Sequence, residues 1–291
     1  MTTPVNDGPN IRSDLPTFIG VGPPRTGTSW LDAIFRGHVN LPERIKETLF
    51  FDVRYERGLD WYTSYFKNRQ PGLPTGEFAP SCFISGAARE RIARDIPDCK
   101  IIVTLREPVA RLYSNYKLWR QLALVKDPFE RVAERHANLL SYTHYAANVA
   151  EWQRIFGREN TLVLIHEDAL RDRQKYVDRI CAFIGAPRLD LASVAKVDQA
   201  VAPVERAPKS RRLARRARQL RGFLADHRYL RTRNLMEPLF EFCAGRGEEF
   251  PPLDPALEKR LRQRFEPEVA AMEELLGRDL SLWRISFPDA T

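Results

Sequence analysis

Residues 17–31 read Thr17-Phe18-Ile19-Gly20-Val21-Gly22-Pro23-Pro24-Arg25-Thr26-Gly27-Thr28-Ser29-Trp30-Leu31. An apolar run (Phe18, Ile19, Val21) leads into a Gly22-Pro23-Pro24 turn, then into the small-residue segment 25–29, and Trp30 and Leu31 open an amphipathic stretch. That order is strand, loop, helix, with glycine where a backbone has to approach a ligand closely. Unpaired N–H groups at such a helix start suit a phosphate-sized anion. Against the pattern G-x-x-x-x-G-K-[ST], segment 22–29 fits at every position but one. Thr28 stands where the lysine belongs, and the cation, Arg25, sits inside the loop. Without the lysine that reaches the β- and γ-phosphates, ATP or GTP hydrolysis is disfavoured. The plain alternative is an ordinary βα turn.

Downstream, the continuous apolar run 100–105 has the character of a strand buried on both faces. It ends at Arg106-Glu107-Pro108, and Pro108 opens a helix reaching about Gln121. A triphosphatase usually carries a Mg²⁺-binding aspartate at such a strand tip; here the tip carries Arg106. Ser114 lies two turns into the helix and can share an anion with Arg106 if the helix folds back over the strand end. Arg111 and Tyr116 read as structural. Segment 41–52 sets Lys46 and Glu47 ahead of the aromatic pair Phe50-Phe51, as loop charges or as part of a site. Segment 76–81 reads as a short strand running into a loop, with Glu77 either a solvated strand-end charge or a site carboxylate. Further helices are expected at 29–36, 61–66, 87–95, 129–135, 142–156, 176–184 and 257–276, and a second buried strand at 160–165. His166, at the end of that strand, reads as structural. The alternation predicts an α/β, three-layer P-loop-like fold, with a central parallel sheet flanked by helices and a helical C-terminal extension. Ligands in such folds sit at the carboxyl ends of the strands, where Arg25, Arg106 and the 46–47 pair fall.

The 291 residues are 43% hydrophobic and 29% charged, the balance of a soluble globular chain. Residues 1–16 read as a disordered lead-in and 17–291 as a single domain. The net charge of +8 points to an anionic partner, and much of the excess lies in the arginine-rich run 206–221. That run is a solvated basic helix, or a nucleic-acid or membrane patch. The Pro-flanked loop before it, with Lys209, Ser210 and Arg211, is placed to close over a bound nucleotide. Cys82, Cys99, Cys181 and Cys243 are scattered, which favours free thiols over disulfides or a zinc site. No stretch has the apolar length to span a bilayer and the N-terminus lacks a signal core, so the cytoplasm is the expected location.

Taken together, these segments resemble the sulfotransferases that use 3′-phosphoadenosine 5′-phosphosulfate (PAPS), nearest to bacterial carbohydrate-type enzymes and heparan sulfate sulfotransferases. Segment 24–31 resembles the family's 5′-phosphosulfate loop. Arg106 with Ser114 resembles its 3′-phosphate motif. Segment 46–52 resembles the K-E-x-x-F-F-D of the glycan-sulfating members, whose glutamate is the catalytic base. Segment 76–81 resembles their G-E-x-S-P stretch, with Ala79 in place of the serine. Two departures stand out: Arg25 replaces the loop lysine of many members, and the glycine-rich C-terminal nucleotide loop of the cytosolic enzymes is missing.

The resemblance implies a metal-free sulfuryl transfer from PAPS, releasing adenosine 3′,5′-bisphosphate (PAP). The acceptor is a hydroxyl or amine on a carbohydrate, glycan or small molecule, and no nucleic acid is involved. Donor contacts are then Arg25, Thr26, Gly27, Thr28, Ser29, Trp30, Arg106 and Ser114, with Lys209, Ser210 and Arg211 as a substitute lid. Glu47 is the base, Arg25 stabilises the leaving-group charge, and Lys46 orients the acceptor or shares that charge, while Glu77 and Ser81 face the acceptor. The rival classes are a P-loop kinase or NTPase with a degenerate loop, and a non-catalytic nucleic-acid or membrane binder.

Overall fold

The computed structural model describes residues 14–194, 206–227, 229–244 and 247–285. Four short strands form one parallel sheet: β1 (Phe18–Gly20), β2 (Gly76–Phe78), β3 (Lys100–Leu105) and β4 (Thr161–Ile165), in the order β2-β1-β3-β4. Around them run α1 (Thr28–Phe35), α2 (Leu59–Thr63), α3 (Gly86–Asp95), α4 (Pro108–Gln121), α5 (Phe129–Arg135) and α6 (Ala137–Leu140). Next in the chain are α7 (Tyr145–Phe156), α8 (His166–Arg171) and α9 (Arg173–Ile184). The C-terminal helices are α10 (Arg211–Asp226), α11 (Leu230–Leu235), α12 (Glu237–Ala244) and α13 (Pro255–Leu276).

The period of two along β3 sends alternate side chains to opposite faces. Ile101, Val103 and Leu105 join a core with Val149 and Trp152 of α7 and Val269 and Met272 of α13. Ile102 joins the other core, with Leu31, Ile34 and Phe35 of α1 and Val177 and Ile180 of α9. Both faces are covered, which is why β3 is apolar throughout.

The strand order places the ligand crevice. From β1 the chain goes to β2 on one side, then crosses to β3 on the other. The segments leaving β1 and β3 therefore diverge at their carboxyl ends, the position where open parallel sheets bind ligands.

Ordered packing begins before residue 17, because Leu15 is buried and Asp14 pairs with Arg69. Residues 14 and 15 of the expected lead-in thus belong to the packed chain, and residues 1–13 lie outside the described ones.

Candidate active site at the carboxyl edge of the sheet

The loop after β1 is fixed from below. Val21 N donates to Ile102 O at 2.8 Å, extending the pairing with β3. A Cβ on Gly22 would overlap the backbone and hydroxyl of Thr104, so only glycine fits. Thr26 Oγ1 donates to Pro23 O at 2.8 Å and shares a 2.7 Å hydrogen bond with Thr104 Oγ1. Arg25 and Gly27 both take left-handed backbone, with φ of 74° and 91°. Helix α1 then begins with Gly27 as its N-cap, no side-chain cap and no acid in its first turn. A helix start without a side-chain cap suits an outside acceptor, and the local dipole favours an anion there.

The loop cation and the α4 serine, far apart in sequence, meet: Arg25 Nε donates to Ser114 Oγ at 2.9 Å. Burial, and then the Arg106 guanidinium, push Arg25 down to about 10, which leaves it charged at neutral pH. Glu107, beside Arg106 in sequence, is turned away from the loop. It caps α4 by accepting from Val109 N at 2.9 Å and Ala110 N at 2.6 Å, and it pairs with Arg262 at 3.2 Å. The cap holds the first turn of α4 under Arg106, whose carbonyl accepts from Tyr145 OH at 3.0 Å.

Lys46 connects the third element. Its Nζ lies 2.7 Å from Glu47 Oε1 and donates to Thr28 Oγ1 at 3.2 Å. Arg44 and Leu49 bracket this pair with φ of 59° and 55°, sparsely populated values for non-glycine residues. What holds them is below: Thr48 N and Oγ1 and Tyr62 OH donate to the Glu77 carboxylate at 2.9–3.0 Å. Phe50 stacks on Tyr62 with ring centroids 4.5 Å apart.

Glu77 was expected to face the acceptor, and the structure corrects this. It is 1% exposed with both oxygens taken, so it positions the Lys46–Glu47 loop from beneath. Burial drives its carboxyl up to about 7 against the hydrogen bonds from Thr48 and Tyr62. The Ser81 hydroxyl is buried in the short 3₁₀ turn Pro80–Ile84.

Other expected contacts fall as follows. Ser29 and Trp30 lie in the first turn of α1, and the Trp30 ring packs toward Tyr176 with centroids 6.4 Å apart. The Ser210 hydroxyl accepts from Leu213 N and caps α10, between the exposed Lys209 and the partly exposed Arg211. Three contributors were not read from the sequence. Thr104 braces the loop, Tyr62 holds Glu77, and His166 sits against the glycine of the loop. A Cβ on Gly27 would lie 3.1 Å from His166 Nδ1. Burial and the Arg106 charge lower His166 to about 3, so a neutral imidazole faces the loop. Its place at the end of the strand expected at 160–165 was the signal in the sequence. Among the described residues no group of three or more His, Cys, Asp or Glu is arranged to hold a metal.

A glycine-shaped anion loop, two arginines with a serine, and a carboxylate beside a lysine define a transferase-type site on a parallel α/β sheet. Residues 15–199 match the family model described as "Sulfotransferase domain", and the chain belongs to that family. It is 31% identical over 194 residues to human "Heparan sulfate glucosamine 3-O-sulfotransferase 6", an alignment covering 64% of this chain and 56% of the relative. It is 26% identical over 196 residues to mouse "Bifunctional heparan sulfate N-deacetylase/N-sulfotransferase 4", covering 59% of this chain and 22% of that one. The chain thus spans about half the length of the first of these relatives or less. Among solved structures, a sulfotransferase from Alicyclobacillus acidocaldarius superposes with a TM-score of 0.65 at 22% identity, covering 93% of this chain and 99% of that one. That likeness is one of fold.

Proposed function

We propose that this chain transfers a sulfuryl group from PAPS to a hydroxyl or amine of a carbohydrate or glycan acceptor. The observation that carries the reading is the bridge made by Lys46, which joins Glu47 to Thr28 of the anion loop. A base, a cation and a phosphate-type cradle share one hydrogen-bonded chain. Family membership and the names of the heparan sulfate relatives support the donor and the acceptor class.

The loop N–H groups, the Thr28 and Ser29 hydroxyls and Arg25 take the 5′-phosphosulfate. Arg106 and Ser114 take the 3′-phosphate, the group that distinguishes this donor from ADP. Arg25 therefore lies between two anionic groups in the bound state, and its hydrogen bond to Ser114 couples the two subsites. Glu47 accepts the acceptor's proton as the oxygen or nitrogen attacks sulfur in line and the bond to the 5′-phosphate oxygen breaks. Lys46 and Arg25 stabilise the charge that develops on the departing phosphate, the kind of fixed electrostatics that dominates such transfers. The strand tip supplies Arg106 where a metal-dependent kinase would need a carboxylate.

The test is a thermal shift with PAP beside ATP plus Mg²⁺, followed by transfer of labelled sulfate from PAPS to heparan-type oligosaccharides. PAP alone should stabilise the chain by about 2.7 kcal/mol at a hundred times its Kd, with chelator present or absent. Stabilisation only by ATP with Mg²⁺ would replace this reading with the kinase one.

A further inference from the structure

The segment from α10 to α12 lies beyond residue 199, outside the matched family region. Helix α10 carries six arginines between residues 211 and 225 and no acid until Asp226. It also leaves large apolar side chains in solvent: Leu213 is 46% exposed, Leu220 40% and Phe223 52%. At 100° per residue these three fall within a sector of about 80°, with Arg216 inside it and Arg212 at its edge. Ala214 and Leu224 turn inward instead. The pattern continues in α11, where Leu235 is 83% exposed, and in α12, where Leu239 is 52% exposed. Seven of the eleven exposed large apolar side chains among the described residues lie between 213 and 242.

We propose that this face docks the protein on an anionic lipid surface. Charge complementarity selects the occupant. A glycan or nucleic acid would satisfy the arginines and leave Leu220 and Phe223 in water. A second copy docked about a two-fold axis would set the α10 arginines against their own counterparts. An anionic bilayer accepts both sets: arginines at the headgroups, and leucine and phenylalanine at the acyl boundary. No described helix is long and apolar enough to cross a membrane, and the proposed contact is one of a helix face lying on the surface.

The docked helix is tied to the site. Arg54 pairs with Asp226 at the end of α10 and donates to Thr48 O at 2.7 Å, next to Glu47. Asn234 Nδ2 of α11 donates to Arg44 O at 3.3 Å, on the other side of Lys46. The surface that binds lipid and the loop that carries the base are thus joined by direct contacts.

The experiment is co-sedimentation of the full chain with phosphatidylcholine vesicles with and without phosphatidylglycerol, at physiological salt. The chain should sediment with the anionic vesicles alone. Leu220→Ser/Phe223→Ser should weaken this at least about tenfold, since each side chain loses its transfer out of water. Arg212→Ala/Arg216→Ala should weaken it too, and both variants should keep the wild-type melting temperature. Three results would each overturn the proposal: no sedimentation with anionic vesicles, sedimentation that Leu220→Ser/Phe223→Ser leaves unchanged, or a dimer in ultracentrifugation that this variant dissociates.

Discussion

Glu77 holds the Lys46–Glu47 loop with a carboxyl that burial has raised from 4.5 to about 7. The folded state therefore keeps this proton longer than the unfolded chain does, and the contribution of Glu77 to stability falls as pH rises from 4.5 to 7. The size is on the order of 3 kcal/mol for a group this enclosed. Glu77→Gln should gain on the wild type across that window, as measured by urea unfolding at both ends; a difference independent of pH would refute the assignment. His166 works with the opposite sign. Its folded value is lowered from 6.5 to about 3, so its contribution is present above 6.5 and is lost as pH falls toward 3. His166→Gln should flatten the acid arm of the stability curve, and an unchanged acid arm would show that the imidazole titrates normally. Arg106→Ala belongs to the same scale. It should weaken binding of PAP by about 1.5–3 kcal/mol while barely changing that of a nucleotide without the 3′-phosphate, since a hydrogen bond to a charged group is worth that much. Equal losses for both ligands in calorimetry would remove Arg106 from the 3′-phosphate subsite.

Helix α4 shows how one element sets the geometry of the donor site. Its cap, Glu107, is 2% exposed and balanced by Arg262 from α13. Removing one partner of a buried pair costs more than the pair contributes, because the other charge is left behind. Arg262→Ala should destabilise the chain by about 3–5 kcal/mol, read as a large drop in melting temperature. It should also weaken PAP binding, since α4 aligns Ser114 with Arg25. An unchanged melting temperature would show that Glu107 is protonated and indifferent to the arginine. The same helix explains what the sequence revealed. The apolar run of β3 and the proline opening α4 are local signals, and both elements lie where those signals put them. The loop glycines marked the tight turn before α1 for the same reason. What brings Lys46 to Thr28, or Thr48 and Tyr62 to Glu77, is contact between distant segments and has no signature within a short window. Glu77 looked like a strand-end charge or an acceptor contact because the sequence does not reveal Tyr62 above it. His166 looked structural because only the strand order puts the end of β4 beside the anion loop. Helices α11 and α12, six and eight residues long, are too short for their periodicity to stand out.

At the scale of the whole molecule, the family-matched region ends at residue 199, yet its core does not. Val269, Met272 and Trp283 belong to the same apolar cluster as Ile101 and Val103 of β3. Leu257, Leu261 and Phe265 close the cluster around α4 and α5. Polar ties follow the same path: Trp283 Nε1 donates to Glu167 at 3.2 Å, and Arg278 pairs with Asp168 at 2.5 Å. Glu167 in turn accepts from Glu107 N at 2.9 Å, so the C-terminal segment backs the element that presents Arg106. Removing these six large apolar side chains forfeits on the order of 10 kcal/mol of burial, comparable with the 5–15 kcal/mol by which a typical domain is stable. It would also leave Glu107 buried without its cation. A chain ending at residue 254 should therefore show no cooperative thermal transition and no protected amides in β3 by hydrogen exchange, while the full chain shows both. A cooperative transition in the truncated chain, with PAP still bound, would mean that α13 is an appendage and that residues 17–291 comprise more than one folding unit.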